Sequence, residues 1–381
     1  MSTMRSLLPR LLPSLLPSLF LTQLSLAQLD NIPDWNPLPP SASSTALRQN
    51  NRSYIHSIEF AQPTPATTAT QLTALNPHLP TILPDFAKLM ETAKVSSRFA
   101  ELYARKLQVL KKGELLTSHN YFDCETALLL EHPASGRKVF LLQADMDVVT
   151  DGSDPGRAPK LADYDLARSS DWFLPETAYS WHNPGGTENP FLTYYPETLA
   201  KLQELRTQLE ANAKADPGVV WREMIKSCDD QIYRVRERGL HNSTKSNLRN
   251  RRFLLADRDP FVVLPVPWVN KDAAFSPKVG DYAAVIHGNK IYPAILGDAG
   301  PSDKVGEASL RLARELNPKA NGRTRAISDL TVTYLFFPKS ASKAQTPDLA
   351  LWHQKVSALL NEIGGLGEGV TLHAWNAPPS P

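Results

Sequence analysis

The chain has 381 residues, of which 42% are hydrophobic, 21% charged and two cysteine, and it carries 41 basic against 39 acidic side chains. Its length allows one large domain or two small ones, and a net charge of +2 supplies no long-range field for nucleic acid or an anionic membrane. Cys124 and Cys228 form either one bridge or none, since two distant thiols define no disulfide framework, and their spacing suits no metal motif.

Arg5 and Arg10, with no acid nearby, precede a Leu-rich run from Leu11 to Leu26 and the small residues Ser25 and Ala27. This is the pattern of a secretory signal peptide over residues 1–27, so export to an extracellular or periplasmic space is expected. Pro13, Pro17 and Gln23 interrupt the run, which falls short of the ~20 apolar residues a membrane span needs. No later stretch is long and apolar enough to cross a bilayer, so no membrane contact is expected after signal removal.

Residues 28–80 are dense in Pro, Ser, Thr and Ala and are expected to form a flexible lead-in, with a catalytic domain over 81–375. Between Pro84 and Leu110, Phe86, Leu89, Met90, Phe99, Leu102, Tyr103 and Leu107 recur at helical spacing, and Lys111-Lys112-Gly113 is a helix stop. Ala127–Leu130 and Val139–Gln143 read as two strands joined by a turn, the second running into Ala144-Asp145-Met146-Asp147 and then Asp151-Gly152. The charged stretch at about 198–252 is rich in helix formers and reads as a helical insertion.

Beyond it the pattern turns to β. Phe261–Leu264, Tyr282–Ile286 and Ile291–Leu296 are apolar runs, the last two linked by His287-Gly288-Asn289-Lys290, a hairpin signal. The third run leads to Asp298 and a turn at Gly300-Pro301; Glu307 then opens a short amphipathic helix to Leu316. Val332–Phe337 reads as a strand stopped by Pro338, and Asp348–Ile363 as a closing helix. The fold class expected is α+β, mainly β with α decoration: a small six-stranded barrel with peripheral helices and the helical insertion.

Asp298 and Glu307 are the candidate catalytic pair. An acid in a first helical turn also complements the helix dipole, and an Asp also caps a turn. Together, however, two carboxyls held on either side of a Gly-containing loop are the minimum equipment for hydrolysing a glycosidic bond, one to protonate the leaving oxygen and one to activate water or attack the sugar. No His-x-x-x-His spacing, Gly-x-Ser-x-Gly elbow or Gly-rich phosphate loop accompanies them, so neither a metal nor another cofactor is expected.

The run Tyr292-Pro293-Ala294-Ile295-Leu296-Gly297-Asp298-Ala299-Gly300-Pro301, followed by Lys304-Val305-Gly306-Glu307-Ala308-Ser309, resembles the signature of the family 75 glycoside hydrolases, the fungal and bacterial endo-chitosanases. Asp145–Asp147 with Asp151-Gly152, Phe261–Pro265 and Val332–Pro338 agree in order. The family's acidic motif is tighter, Asp-x-Asp-Gly, where here Val148-Val149-Thr150 intervene. The resemblance implies endo-cleavage of chitosan with inversion by Asp298 and Glu307, carboxyls ~6.5–9.5 Å apart, with Glu307 favoured as the acid.

Chitosan is cationic, which makes Asp145, Asp147 and Asp151 candidates for substrate contact by charge pairing, against a reading as a strand-end turn. Tyr179 and Trp181 are candidate stacking platforms for sugar rings, against a reading as core residues. The partner expected is a polysaccharide, acted on by a monomer. The strand, turn and helix also resemble the double-psi β-barrels of expansins and related wall-active proteins. That likeness supplies the competing expectation, a barrel that binds a cell-wall glycan such as peptidoglycan without cutting it.

Overall fold

The computed structural model describes residues 62–111, 123–170, 173–215, 219–269, 274–301 and 304–376. The signal-peptide expectation over 1–27, and the lead-in as far as residue 61, lie outside the described residues.

Six strands close into a ring. In chain order the described strands are β1 (Lys94–Val95), β2 (Cys124–Glu131), β3 (Lys138–Val149), β4 (Ser180–His182), β5 (Arg251–Phe253), β6 (Phe261–Pro265), β7 (Tyr282–His287), β8 (Lys290–Gly300), β9 (Glu307–Ser309) and β10 (Ile327–Phe336). Pairing runs β3-β10-β7-β8-β6-β9 and returns from β9 to β3, giving a closed barrel of mixed direction. The β3–β9 and β6–β8 contacts are parallel, and the other four are antiparallel. Closure leaves these six strands no free edge. β2 and β1 extend the sheet beyond β3, while β4 and β5 pair separately.

Local chemistry accounts for the connections. β7 and β8 form the expected hairpin, with His287 opposite Lys290 and Gly288 at φ +56 in the turn. The barrel strands alternate between two apolar clusters, as a period of two requires. Leu141, Val263, Ile286 and Leu335 join one, and Leu142, Val262, Val285 and Tyr334 the other. Each such Leu, Ile or Val side chain contributes about 1.5–3 kcal/mol on full burial.

Helices α1 (Ala69–Leu75), α2 (Leu79–Ile82) and α3 (Phe86–Met90) pack into the first cluster through Leu72, Leu79, Ile82, Phe86 and Leu89. The lead-in expected to reach residue 80 is therefore core from Ala66 onward. Thr68 and Gln71 form a capping box that starts α1 within that Thr-rich stretch. The helix expected over 84–110 is divided by β1, with α4 running Ser97–Lys111.

By chain contacts the protein divides into two units, residues 199–235 forming the smaller among those described. There α5 (Phe191–Ala215) and α6 (Val219–Arg234) supply Leu202, Leu209, Cys228 and Ile232 to a small apolar cluster, with Arg206 bonded to Asp229 at 2.5 Å. α7 (Asn242–Asn250) follows in the larger unit, which also contains α8 (Leu310–Leu316) and α9 (Leu349–Asn361). Asp348 caps α9 through the Leu351 amide, as the closing-helix reading anticipates. Cys124 and Cys228 are both buried free thiols.

Two elements differ from expectation in ways that bear on the site. Glu307 does not open a helix: residues 307–309 form strand β9, and α8 starts at Leu310 with the Ser309 hydroxyl accepting from the Leu312 amide at 3.4 Å. β3 runs on to Val149, so Asp145 and Asp147 belong to a strand rather than to a turn after one.

The parallel pairing of β6 and β8 carries a bulge: Val262 faces Leu296 but Val263 faces Asp298, leaving Gly297 as the extra residue. A Cβ on Gly297 would lie 2.5 Å from Leu254 Cδ1 and 2.6 Å from Phe261 Cβ. Gly297→Ala is expected to lower the unfolding free energy by about 1–3 kcal/mol through overpacking, read as a lower urea midpoint.

Candidate active site

Sheet register assembles the acids. Val263 of β6 has Asp298 as its partner on β8 and Glu307 as its partner on β9, and Glu307 in turn pairs with Asp147 on β3. Residues paired across neighbouring strands project their side chains to the same face. Asp298, Val263, Glu307 and Asp147 thus form one row across four strands. Two strand spacings put the Cα atoms of Asp298 and Glu307 about 9–10 Å apart. The Gly297 bulge creates this arrangement; with regular pairing Asp298 would fall opposite Leu264 and point to the other face.

The two carboxyls stand in opposite electrostatic settings. Asp298 Oδ1 accepts from the Ala178 and Ala299 amides, each at 2.8 Å, and among the described residues no cation pairs with the carboxyl. Burial pushes its pKa up to about 7; the two amide bonds oppose the rise, and the charges of Glu307 and Glu176 add to it. Glu307 is 6% exposed, and its Oε1 forms an ion pair with Lys304 Nζ, which also lies 2.9 Å from Asp147 Oδ2. Burial raises the Glu307 pKa as well, but Lys304 pulls against it through charge and hydrogen bond. Burial works against the Lys304 charge, and Glu307 and Asp147 outweigh it, so the ammonium is held more firmly than usual.

Glycines shape the space around Glu307. Gly306 enters β9 at φ +75, with Asp145 backbone oxygen 2.5 Å from where a Cβ would stand. Gly300 faces the acid itself: a Cβ there would lie 2.7 Å from Glu307 Oε2 and 3.1 Å from Val263 Cγ1.

The other expected contact residues divide. Asp147 is in the row, and Asp151 stands by it: burial raises the Asp151 pKa well above the ordinary carboxylate range, the charges of Asp298 and Glu307 reinforce the shift, and the Leu174 amide donates to its Oδ1 at 2.7 Å. Gly152 supports that position at φ +107, where a Cβ would fall onto the Leu254 carbonyl oxygen.

Asp145 is a correction. It is 1% exposed, its Oδ2 is ion-paired with Arg325, and its backbone oxygen accepts from the Tyr334 hydroxyl at 2.8 Å. It braces the approach to Gly306 and offers no surface to a sugar, because continuing β3 carried it inside. Tyr179 and Trp181 are also corrected: both rings are buried in the core, the Tyr179 hydroxyl bonding the Gln345 backbone and the Arg157 guanidinium lying 5.8 Å from the Trp181 ring centre.

Lys304 and Glu176 join the site without having been assigned a role from sequence. Lys304 stands three residues before Glu307, a spacing that hints at pairing. Glu176 belongs to the segment 174–179, where no motif marks it. Among the described residues no group of three or more His, Cys, Asp or Glu side chains is arranged to hold a metal ion, and no helix is long and apolar enough to cross a membrane.

The row of acids lies inside a recognisable sequence unit. A family model described as fungal chitosanase of glycosyl hydrolase group 75 matches residues 146–372, well over half of the chain and including Asp147, Asp151, Asp298, Lys304 and Glu307. No curated protein matches.

Because Gly300 leaves room for the Glu307 carboxyl, Gly300→Ala is expected to displace that group and reduce hydrolytic turnover by about 100-fold, the scale of loss from small misplacements at a reacting centre. Circular dichroism and thermal unfolding should remain close to wild type.

Proposed function

The chain belongs to glycosyl hydrolase group 75, and from that premise we propose that it is a secreted endo-hydrolase cleaving the β-1,4 linkages of chitosan with inversion, Asp298 acting as general acid and Glu307 as general base. The observation that carries this reading is the register row in which Val263 alone separates the two acids. A spacing of two strands suits the ~6.5–9.5 Å between carboxyls that lets a water molecule stand beside the sugar ring.

The electrostatics support the division of roles, which reverses the one favoured from sequence. An acid must hold its proton at working pH, and Asp298, desolvated and with no cation paired to it among the described residues, has its pKa raised to about 7. Its Oδ1 is occupied by two amides, leaving Oδ2 for the proton. A base must be ionised, and Glu307 has Lys304 against one oxygen. In the proposed step Asp298 Oδ2 gives its proton to the glycosidic oxygen as the C1–O bond breaks. Water attacks C1 from the opposite face and passes a proton to Glu307, leaving a new reducing end of inverted configuration.

Asp298→Asn and Glu307→Gln should each reduce reducing-end release from chitosan by about 10²–10⁴-fold with the fold intact. Proton NMR of freshly released product should show the α anomer first; initial appearance of the β anomer would exclude inversion.

The pH profile should fall on its alkaline side as pH rises through about 7, where Asp298 loses its proton. Lys304→Met removes the cation that lowers the Glu307 pKa, so the acid limb of kcat/KM is expected to move to higher pH, while Lys304→Arg should largely restore it.

A further inference from the structure

The segment 174–179 is fastened to the acids from both ends. The Leu174 amide donates to Asp151 Oδ1 at 2.7 Å, the Ala178 amide to Asp298 Oδ1 at 2.8 Å, and the Tyr179 amide to the Gly297 oxygen at 2.9 Å. Glu176 sits midway along this span, between the residues that clasp the two aspartates. It is partly buried, and its Oε1 is buried with no hydrogen-bond partner among the described residues. No described Lys, Arg or His forms an ion pair with it, although the chain places cations on Asp145, Asp147, Asp154, Asp259 and Glu307.

A buried carboxylate oxygen without a donor is costly, and one in a native structure calls for strain, an ordered water, a ligand or a functional charge to account for it. Position narrows the choice of ligand. Glu176 is close enough to Asp298 for its charge to act on the proposed acid, so its partner belongs to a sugar beside the scissile bond rather than to a remote part of the polymer. The donor that best satisfies a lone carboxylate is a cation, and on a glucosamine unit that is the 2-ammonium; acetylation replaces it with a neutral, bulkier amide.

We propose that Glu176 is the residue that selects glucosamine over N-acetylglucosamine at the sugar adjoining the cleaved bond, its unpaired carboxylate receiving that sugar's ammonium. This rests on the chitosan-hydrolase reading and deepens it. The charge has a second effect on the same neighbour: it favours the protonated form of Asp298, so substrate selection and readiness of the acid are linked through one side chain.

The test compares wild type, Glu176→Gln and Glu176→Asp on chitosans of graded acetylation, with mass spectrometry of the new chain ends. Glu176→Gln should lower kcat/KM on nearly fully deacetylated polymer by about tenfold or more, as loss of a charge-assisted hydrogen bond does, and change it little at acetylated sites. The new ends should then include N-acetylglucosamine where wild type leaves glucosamine. Its alkaline pH limb should move to lower pH, because a like charge has been removed from Asp298. Glu176→Asp should recover part of the preference.

An equal loss on all polymers, with unchanged chain ends and pH limb, would overturn the proposal and reduce Glu176 to a structural residue. Calorimetric binding of glucosamine and N-acetylglucosamine oligomers separates this from failure of the underlying reading. Wild type that binds glucosamine oligomers in a Glu176-dependent way but releases no reducing ends would overturn hydrolysis alone. Binding that is indifferent to Glu176 would overturn the selectivity role whatever the turnover.

Discussion

Strand β9 is three residues long and is hydrogen-bonded on both sides, antiparallel to β6 and parallel to the end of β3, and through it the ring of six strands closes. Its flanks are specified as tightly as its pairing. Gly306 supplies the left-handed backbone that admits the chain, and the Ser309 hydroxyl both caps α8 and accepts from the Phe261 amide at the start of β6, at 3.0 Å. Glu307 is the first residue of this closing strand. It cannot shift without disturbing the strand through which β6 joins β3 and the ring closes, so the position of the proposed base is inherited from barrel closure and not from side-chain packing alone.

From that fixed point the electrostatic asymmetry follows. Lys304 precedes the strand by three residues and reaches both Glu307 and Asp147, which pair across β9 and β3. Asp298 lies two strands away on the far side of Val263, where the nearest donors are neutral amides. Glu307 is buried and Asp298 half-buried, but among the described residues only Glu307 has an ammonium partner, and the difference arises because the row is wide enough to keep Lys304 at one end. Environments that pull two acids apart are the usual mark of divided acid and base duties.

Much of this was legible in the chain. The apolar runs of β6, β7 and β8 and the Gly-Asn turn announce themselves through period and composition, and two acids on either side of a Gly-containing loop point to a shared site. Strand β9 was not legible, because three residues display no period, and Glu307 followed by Ala-Ser-Leu-Arg-Leu-Ala has the look of a helix start. Asp145 was misjudged for a related reason: nothing in Ala-Asp-Met-Asp tells how far β3 runs, and hence which acids are taken inside. Helices α1 and α2 were hidden by the Pro- and Thr-rich composition around Leu72, Leu79 and Ile82. Glu176 left no signal at all, since its place depends on amides of a loop folding back over strand β8.

The bulge at Gly297 gives the site an unusual kind of fragility. Where a side chain is held by its neighbours, exchange of those neighbours is what endangers it; here the orientation of Asp298 is stored as a count of residues between Leu296 and the point where Val263 pairs. Drawing Gly297 into the ladder opposite Val263 would preserve the chemistry of every side chain and still turn the carboxyl to the opposite face. Among descendants of this sequence, a residue at 297 small enough to stay out of the ladder against Leu254 and Phe261 should therefore be guarded more strictly than the identity of most residues surrounding it.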